Sequence, residues 1–144
     1  MLSIQNLEVV YQDVILVLRG ISFEIPKGKI VALLGSNGSG KTTVIRSITG
    51  LLDIQNGDIT KGSVTLDGED ITNLNPSKIV EKGIAQVMEG RRIFSELTVT
   101  ENLRLGGHTN SVNIQNNIDR VFEMFPALKD RQKGEAGYLS LIHI

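Results

Sequence analysis

An α/β fold is predicted by three features of this sequence. Apolar and polar residues alternate over Leu2–Tyr11 and again at Ile21, Phe23 and Ile25; a wholly apolar run, Ile30–Leu34, leads into the glycine-rich stretch Gly35–Gly40; and from Lys41 the apolar residues Val44, Ile45, Ile48, Leu51 and Leu52 fall at helical spacing. A period of two marks a half-buried strand and a period of about 3.6 a helix packed by one face. Composition agrees with a globular chain: of 144 residues, 40% are apolar and 22% charged. Fifteen Lys+Arg against sixteen Asp+Glu leave a net charge of -1, which gives no support for gripping a polyanion. With no Cys, disulfides, thiolate metal sites and thiol catalysis are excluded together, and a reducing compartment fits. The longest apolar runs, Val14–Leu18 and Ile30–Leu34, are far short of a bilayer span. The first basic residue, Arg19, follows the first apolar stretch, the reverse of a secretory leader.

Taken in order, Leu2–Tyr11 reads as a strand with Ile4 and Val9 inward, and Val14–Leu18 with Ile21–Ile25 completes an antiparallel β-region before the Pro26-Lys27-Gly28 turn. Ile30–Leu34 is expected as a central strand covered on both faces. The Lys41–Leu52 helix follows the glycine loop, Asp53–Gly62 reads as a polar, turn-rich surface segment, and Ser63–Leu66 as a strand closed by Asp67-Gly68. Asn75-Pro76 is an N-cap followed by Pro at the first helical position, with Gly83 as terminator. Ile84–Met88 is expected as another buried strand. Thr98 and Glu101 have capping-box spacing before a helix ending at Gly106-Gly107; Val112, Ile118, Val121, Phe122 and Phe125 then give a second helix an apolar stripe that Pro126 ends.

Gly35-Ser36-Asn37-Gly38-Ser39-Gly40-Lys41-Thr42 fills every defining position of G-x-x-x-x-G-K-[ST]. Backbone N–H groups can wrap a polyphosphate only where the chain turns tightly and no Cβ intrudes, hence the glycines. The helix beginning near Gly40 aims its first donors and positive dipole end at the anion. Lys41 is placed for the β- and γ-phosphates, the Thr42 hydroxyl for Mg²⁺, and Thr43 for an α-phosphate contact. A buried strand before the loop and an amphipathic helix after it are the context the motif requires. Asn37-Gly38-Ser39 also matches a glycosylation acceptor, a reading that a phosphate loop overrides. His108 and His143 assemble no Ser/His/Asp set and no metal site.

These residues resemble the ATP-binding subunits of ABC transporters, from Met1 to about Tyr138. The likeness rests on Tyr11, on the loop Gly35–Thr43, and on Ser95-Glu-Leu-Thr-Val-Thr-Glu-Asn-Leu-Arg-Leu-Gly106, which looks like the start of the family's helical subdomain. A narrower likeness lies in Glu89-Gly90-Arg91-Arg92-Ile93-Phe94, similar to the E-G-R-R-x-F run of one of the two ATPases of branched-chain amino-acid importers, with Met88 where the family has Pro. By itself Tyr11 is open between packing at a strand end and stacking; the resemblance implies adenine stacking. Arg91 and Arg92 are open between a solvated basic pair and contact with phosphate or a membrane-subunit helix. Counting back from Leu97-Thr98-Val99, the position of the family's Gln that reaches Mg²⁺ and the attacking water falls on Glu89, not on Gln86. The resemblance thus implies Glu89 as a catalytic and Mg²⁺-ligating residue beside Lys41, and Gln86 as structural. Asp53–Gly62 is longer than the family's usual link and reads as a tolerated insertion.

The fold implied is a P-loop NTPase of ABC ATPase type: an N-terminal antiparallel β-region, a phosphate-loop core and the start of a helical subdomain from about residue 90. It is expected to stop before the signature and the Walker B carboxylate strand, with the catalytic Glu and the later His also beyond Ile144. Residues 1–138 are read as the N-terminal part of one ATP-binding domain. Residues 139–144, Leu-Ser-Leu-Ile-His-Ile, are read as a non-native tail, since CTG TCT CTT ATA CAC ATC would encode them and resembles a sequencing adapter. The resemblance implies ATP and Mg²⁺ as cofactors, ATP hydrolysis in the full-length protein but not in this length of chain, and permease subunits plus a second ATP-binding subunit as partners. It implies no nucleic acid, no membrane span of its own, and a place on the cytoplasmic face of the cell membrane. The alternatives are a urea-type importer ATPase, where Gln would be expected instead of Glu89, a soluble ABC protein without a transporter, and a stand-alone nucleotide-binding module.

Overall fold

The computed structural model describes residues 1–90 and 92–143, which form two compact units, Met1–Gln86 and a second from Val87 onward. The first unit is built on β1 (Leu2–Tyr11) and β2 (Ile15–Ile25), an antiparallel hairpin in which Leu2 faces Ile25 and Tyr11 faces Ile15. Gln12 and Asp13 turn the chain with φ of +53° and +57°, the left-handed pair that matches the twist of a tight hairpin. A helix, α1 (Lys41–Thr49), follows the glycine loop. Then β3 (Gly57–Leu66) returns along the other edge of β1, Leu66 opposite Leu2 and Gly57 opposite Tyr11, and the short β4 (Glu69–Asp70) completes the order β2-β1-β3-β4. Helix α2 (Pro76–Glu81) begins at Asn75, whose side chain accepts from the Ser77 amide at 3.0 Å, with Pro at the first helical position as expected. The core of this unit is Ile4, Leu7, Val9, Leu18, Val44, Leu52, Val64 and Ile71, so the inward face of the sheet is covered by the buried stripe of α1.

Three expectations are corrected. Ile30–Leu34 is not a strand: it runs without ladder pairing, and Ile30 and Leu34 are 100% and 88% exposed. Ile84–Met88 is likewise unpaired. Both are apolar enough for a central strand, but a strand exists only where neighbours take its backbone hydrogen bonds, and no described strand lies beside either. Asp53–Gly62 is not a loose insertion. Asp53–Gln55 is a short 3₁₀ turn, and from Gly57 the chain is strand, because the free edge of β1 supplies partners that outweigh a turn-rich composition.

The second unit is helical. Thr98 caps α3 (Val99–Gly106) with the complete reciprocal box: its hydroxyl accepts from the Glu101 amide, and the Glu101 carboxylate accepts from the Thr98 amide at 2.8 Å. Helix α4 (Ile114–Met124) buries Ile118 and Phe122 against Val99, with Leu103, Ile114, Leu128 and Leu139 packed around them. The expected stripe is shorter than predicted, since Val112 is 91% and Phe125 56% exposed. Pro126 does not merely end α4; it occupies the first turn of α5 (Pro126–Asp130). A 3₁₀ segment, Ala136–His143, follows, and its Leu139 packs onto this cluster.

Candidate nucleotide site

Gly35–Thr43 lies in the first unit, where Val17 and Leu18 of β2 and the start of α1 flank its end. Gly40 is the N-cap of α1 with φ +91°, and a Cβ there would stand 2.7 Å from Leu18 Cδ2, so only glycine lets the loop settle on the sheet while turning into the helix. No side chain among the described residues caps this helix, and its first turn carries no acid. Its leading amides and the positive end of its dipole are therefore left for an anion. Lys41 reaches back over the loop, donating to Gly35 O at 2.8 Å, Ser36 O at 2.6 Å and, more weakly, Ser39 Oγ at 3.5 Å. The ammonium is thus held over the loop by neutral oxygens and, among the described residues, is paired with no carboxylate. A phosphate could take those contacts over without separating an ion pair.

The hydroxyls after the lysine divide the work by burial. Thr42 is exposed and open to a metal ion, whereas Thr43 is buried at 7%. Thr43 is held from within: its carbonyl accepts from Ser47 Oγ at 2.8 Å and its hydroxyl accepts from Tyr11 Oη at 3.4 Å. Tyr11, at the end of β1, is half-buried against the core, so the structure brings the two ends of the expected nucleotide site, Tyr11 and the loop, onto one surface of one unit. No described group of three His, Cys, Asp or Glu could cage a metal.

Glu89 belongs to the second unit, in an exposed turn with Gly90. Arg91 lies outside the described residues; Arg92 is exposed and lines an apolar cleft of about 760 Å³ with Ile93, Phe94, Leu103 and Leu139. Gln86, set aside as structural, accepts from Thr49 Oγ1 at 2.8 Å and so ties its segment to the end of α1. A residue missed from sequence is Asn102. Its side chain accepts from the Phe94 amide at 2.9 Å and donates to the carbonyls of Phe94, Leu97 and Thr98, holding the loop that follows the Glu89–Phe94 run. Its place one residue after the capping-box Glu101 was the available signal, because it lets a short amide reach back over the N-terminus of α3.

The family model described as ABC transporter matches residues 18–140. Over 131 residues the chain is 42% identical to the high-affinity branched-chain amino acid transport ATP-binding protein BraG of Pseudomonas aeruginosa, covering 90% of this chain and 54% of that protein. It is 36% identical over 125 residues to the probable branched-chain amino acid transport ATP-binding protein LivF of Archaeoglobus fulgidus, covering 86% and 51%. Among solved structures, the ADP conformation of MJ1267, an ATP-binding cassette of an ABC transporter, superposes with a TM-score of 0.72 at 28% identity, over 95% of this chain and 57% of that one. The chain spans about half the length of the curated relatives it matches.

Proposed function

Because the chain belongs to the ABC transporter family, we propose that it binds Mg·ATP and serves as the ATP-binding, energy-coupling part of an importer for branched-chain amino acids. The observation that carries the nucleotide assignment is the Lys41 ammonium held by Gly35 O, Ser36 O and Ser39 Oγ above the uncapped start of α1. Lys41 exchanges those neutral acceptors for the β- and γ-phosphate oxygens, the α1 amides bind the remaining phosphate charge, and Thr42 supplies a hydroxyl ligand to Mg²⁺. Mg²⁺, when bound, neutralises phosphate charge and orients the γ-phosphate. Tyr11 stacks on adenine. Hydrolysis is assigned to the full-length protein, with Glu89 as the metal- and water-facing residue on its sequence register alone.

The amino-acid class is supported by the Glu89–Phe94 run and by the names of the relatives. Permease subunits and a second ATP-binding subunit are the proposed partners, on the cytoplasmic face of the membrane; no described helix is long and apolar enough to cross it. Calorimetric titration of the chain with Mg·ATP tests the nucleotide reading. Lys41→Ala removes two charge-assisted hydrogen bonds and is expected to weaken binding by about tenfold to a hundredfold, and EDTA to weaken it in the parent chain. A Lys41→Ala chain that binds ATP as tightly as its parent refutes the assignment. The solute is tested separately, by whether deleting the gene abolishes uptake of labelled leucine, isoleucine and valine while leaving other solutes unaffected.

A further inference from the structure

The segment Asp53–Gly62, read from the sequence as a surface insertion, has a structural employment. Its strand part lengthens β3 until Gly57 stands opposite Tyr11 on β1. Gly57 is buried, and a Cβ on it would lie 2.5 Å from Cε1, 2.8 Å from Cδ1 and 3.1 Å from Cζ of Tyr11. Those are three atoms of one rigid ring, so the ring rests on the bare glycine backbone and has no flexible end with which to yield. The 3₁₀ turn before Gly57 is tied on two sides. The Gln12 amide, next to Tyr11, donates to Asn56 O at 2.8 Å, and Arg46 of α1 donates through Nη1 to Gln55 Oε1. The far end of the ring meets α1 as well, through Tyr11 Oη and Thr43 Oγ1 at 3.4 Å. The segment therefore links the hairpin end that carries Tyr11 to the helix that carries the phosphate loop.

We propose that Gly57, with the Gln55–Asn56 turn before it, positions the Tyr11 ring for the nucleotide base, which makes the start of β3 part of the nucleotide site. Gly57 is a positioning residue, acting through Tyr11, and the inference rests on Tyr11 stacking against adenine. A methyl group at residue 57 displaces the ring from the surface it shares with α1 while leaving Gly35–Thr43 in place. The base then loses its platform and the phosphates keep theirs.

The test compares two ligands, Mg·ATP and magnesium tripolyphosphate, by calorimetry on the 144-residue chain. Gly57→Ala is expected to weaken ATP binding by about tenfold, within the range of one lost base–aromatic stack, and to leave tripolyphosphate within about twofold. The sequence has two tyrosines and no tryptophan, so in a Tyr138→Phe background Tyr11 emission is read alone. ATP is expected to quench it in the parent and far less with Gly57→Ala. Equal losses for both ligands, or an unchanged ATP affinity, overturn the inference. The underlying readings fail differently: a parent that binds neither ligand removes the phosphate-loop assignment, and a Tyr11→Ala chain with parental ATP affinity removes the stacking; either takes the inference with it. Should Gly57→Ala alone not fold, Tyr11→Ala/Gly57→Ala carries the test. A melting temperature equal to that of Tyr11→Ala supports the ring as the group the methyl strikes, and a further drop overturns it.

Discussion

At the scale of single residues, the site divides into atoms set by the local chain and atoms set by the sheet. Lys41 needs only its own loop, since all three of its acceptors lie within six residues of it. The motif alone is enough to single it out as a candidate. Tyr11 depends on partners far along the chain, Thr43 on α1 and Gly57 on β3, and the residue type could not choose between packing and stacking. The structure shows that its ring is packed on one side, which does not oppose a stacking role; a platform has to be supported. Tyr11→Ala is expected to cost about 1–2 kcal/mol of ATP affinity. Tyr11→Phe loses only the long 3.4 Å contact to Thr43 and should cost about 0.5 kcal/mol or less. Titrations in which the two variants behave alike would return Tyr11 to a purely structural role.

At the scale of elements, short-range signals were read correctly where they are self-contained. The Thr98–Glu101 box and the Asn75-Pro76 start are each settled within four residues, and both formed as predicted. Thr98→Ala is expected to destabilise α3 by about 1 kcal/mol, read as faster hydrogen exchange of its amides. The box also carries a pH dependence. The hydrogen bond from the Thr98 hydroxyl, and then that from its amide, hold the Glu101 carboxyl below the usual glutamate range. A carboxyl depressed on folding stabilises the helix above its unfolded value, about 4.3, and that contribution is lost as the pH falls through the lower folded value. Protection of the α3 amides should therefore decline in that acid window, and the decline should be shallower in Thr98→Ala. An identical pH profile in both proteins would remove Glu101 from the cap. Strand predictions fared worse, because apolar composition shows that a segment can be buried and says nothing about what lies beside it. Ile30–Leu34 was over-read for that reason, and the Gly57–Lys61 part of β3 was under-read for the converse one: a polar, glycine-containing stretch became strand because β1 had an edge to fill.

At the scale of the whole molecule, two units with separate cores leave Ile30, Leu34 and Val87 at 100%, 88% and 98% exposure. Unpaired apolar segments of this kind recruit other chains or hydrophobic dyes. The chain is expected to bind anilinonaphthalene sulfonate in its native state and to self-associate on gel filtration. Ile30→Lys/Leu34→Lys should reduce both without changing the melting of the β1–β2–β3 sheet, and a dye-silent, monomeric parent would contradict the exposure. The sequence by itself determined the α/β class, the G-x-x-x-x-G-K-[ST] motif that carries Lys41 and Thr42, the antiparallel β-region of Leu2–Ile25 and the capped helix starts. These depend on periodicity and on contacts a few residues apart, which any chain of this sequence must offer. Only the tertiary structure decided that β3 reaches back to Tyr11, that Gly57 lies beneath its ring, that Asn102 holds the loop after Phe94, and that Ile30–Leu34 stays unpaired. Those outcomes depend on which segments meet across tens of residues, and backbone hydrogen bonding and close packing are settled only when the partner is in place.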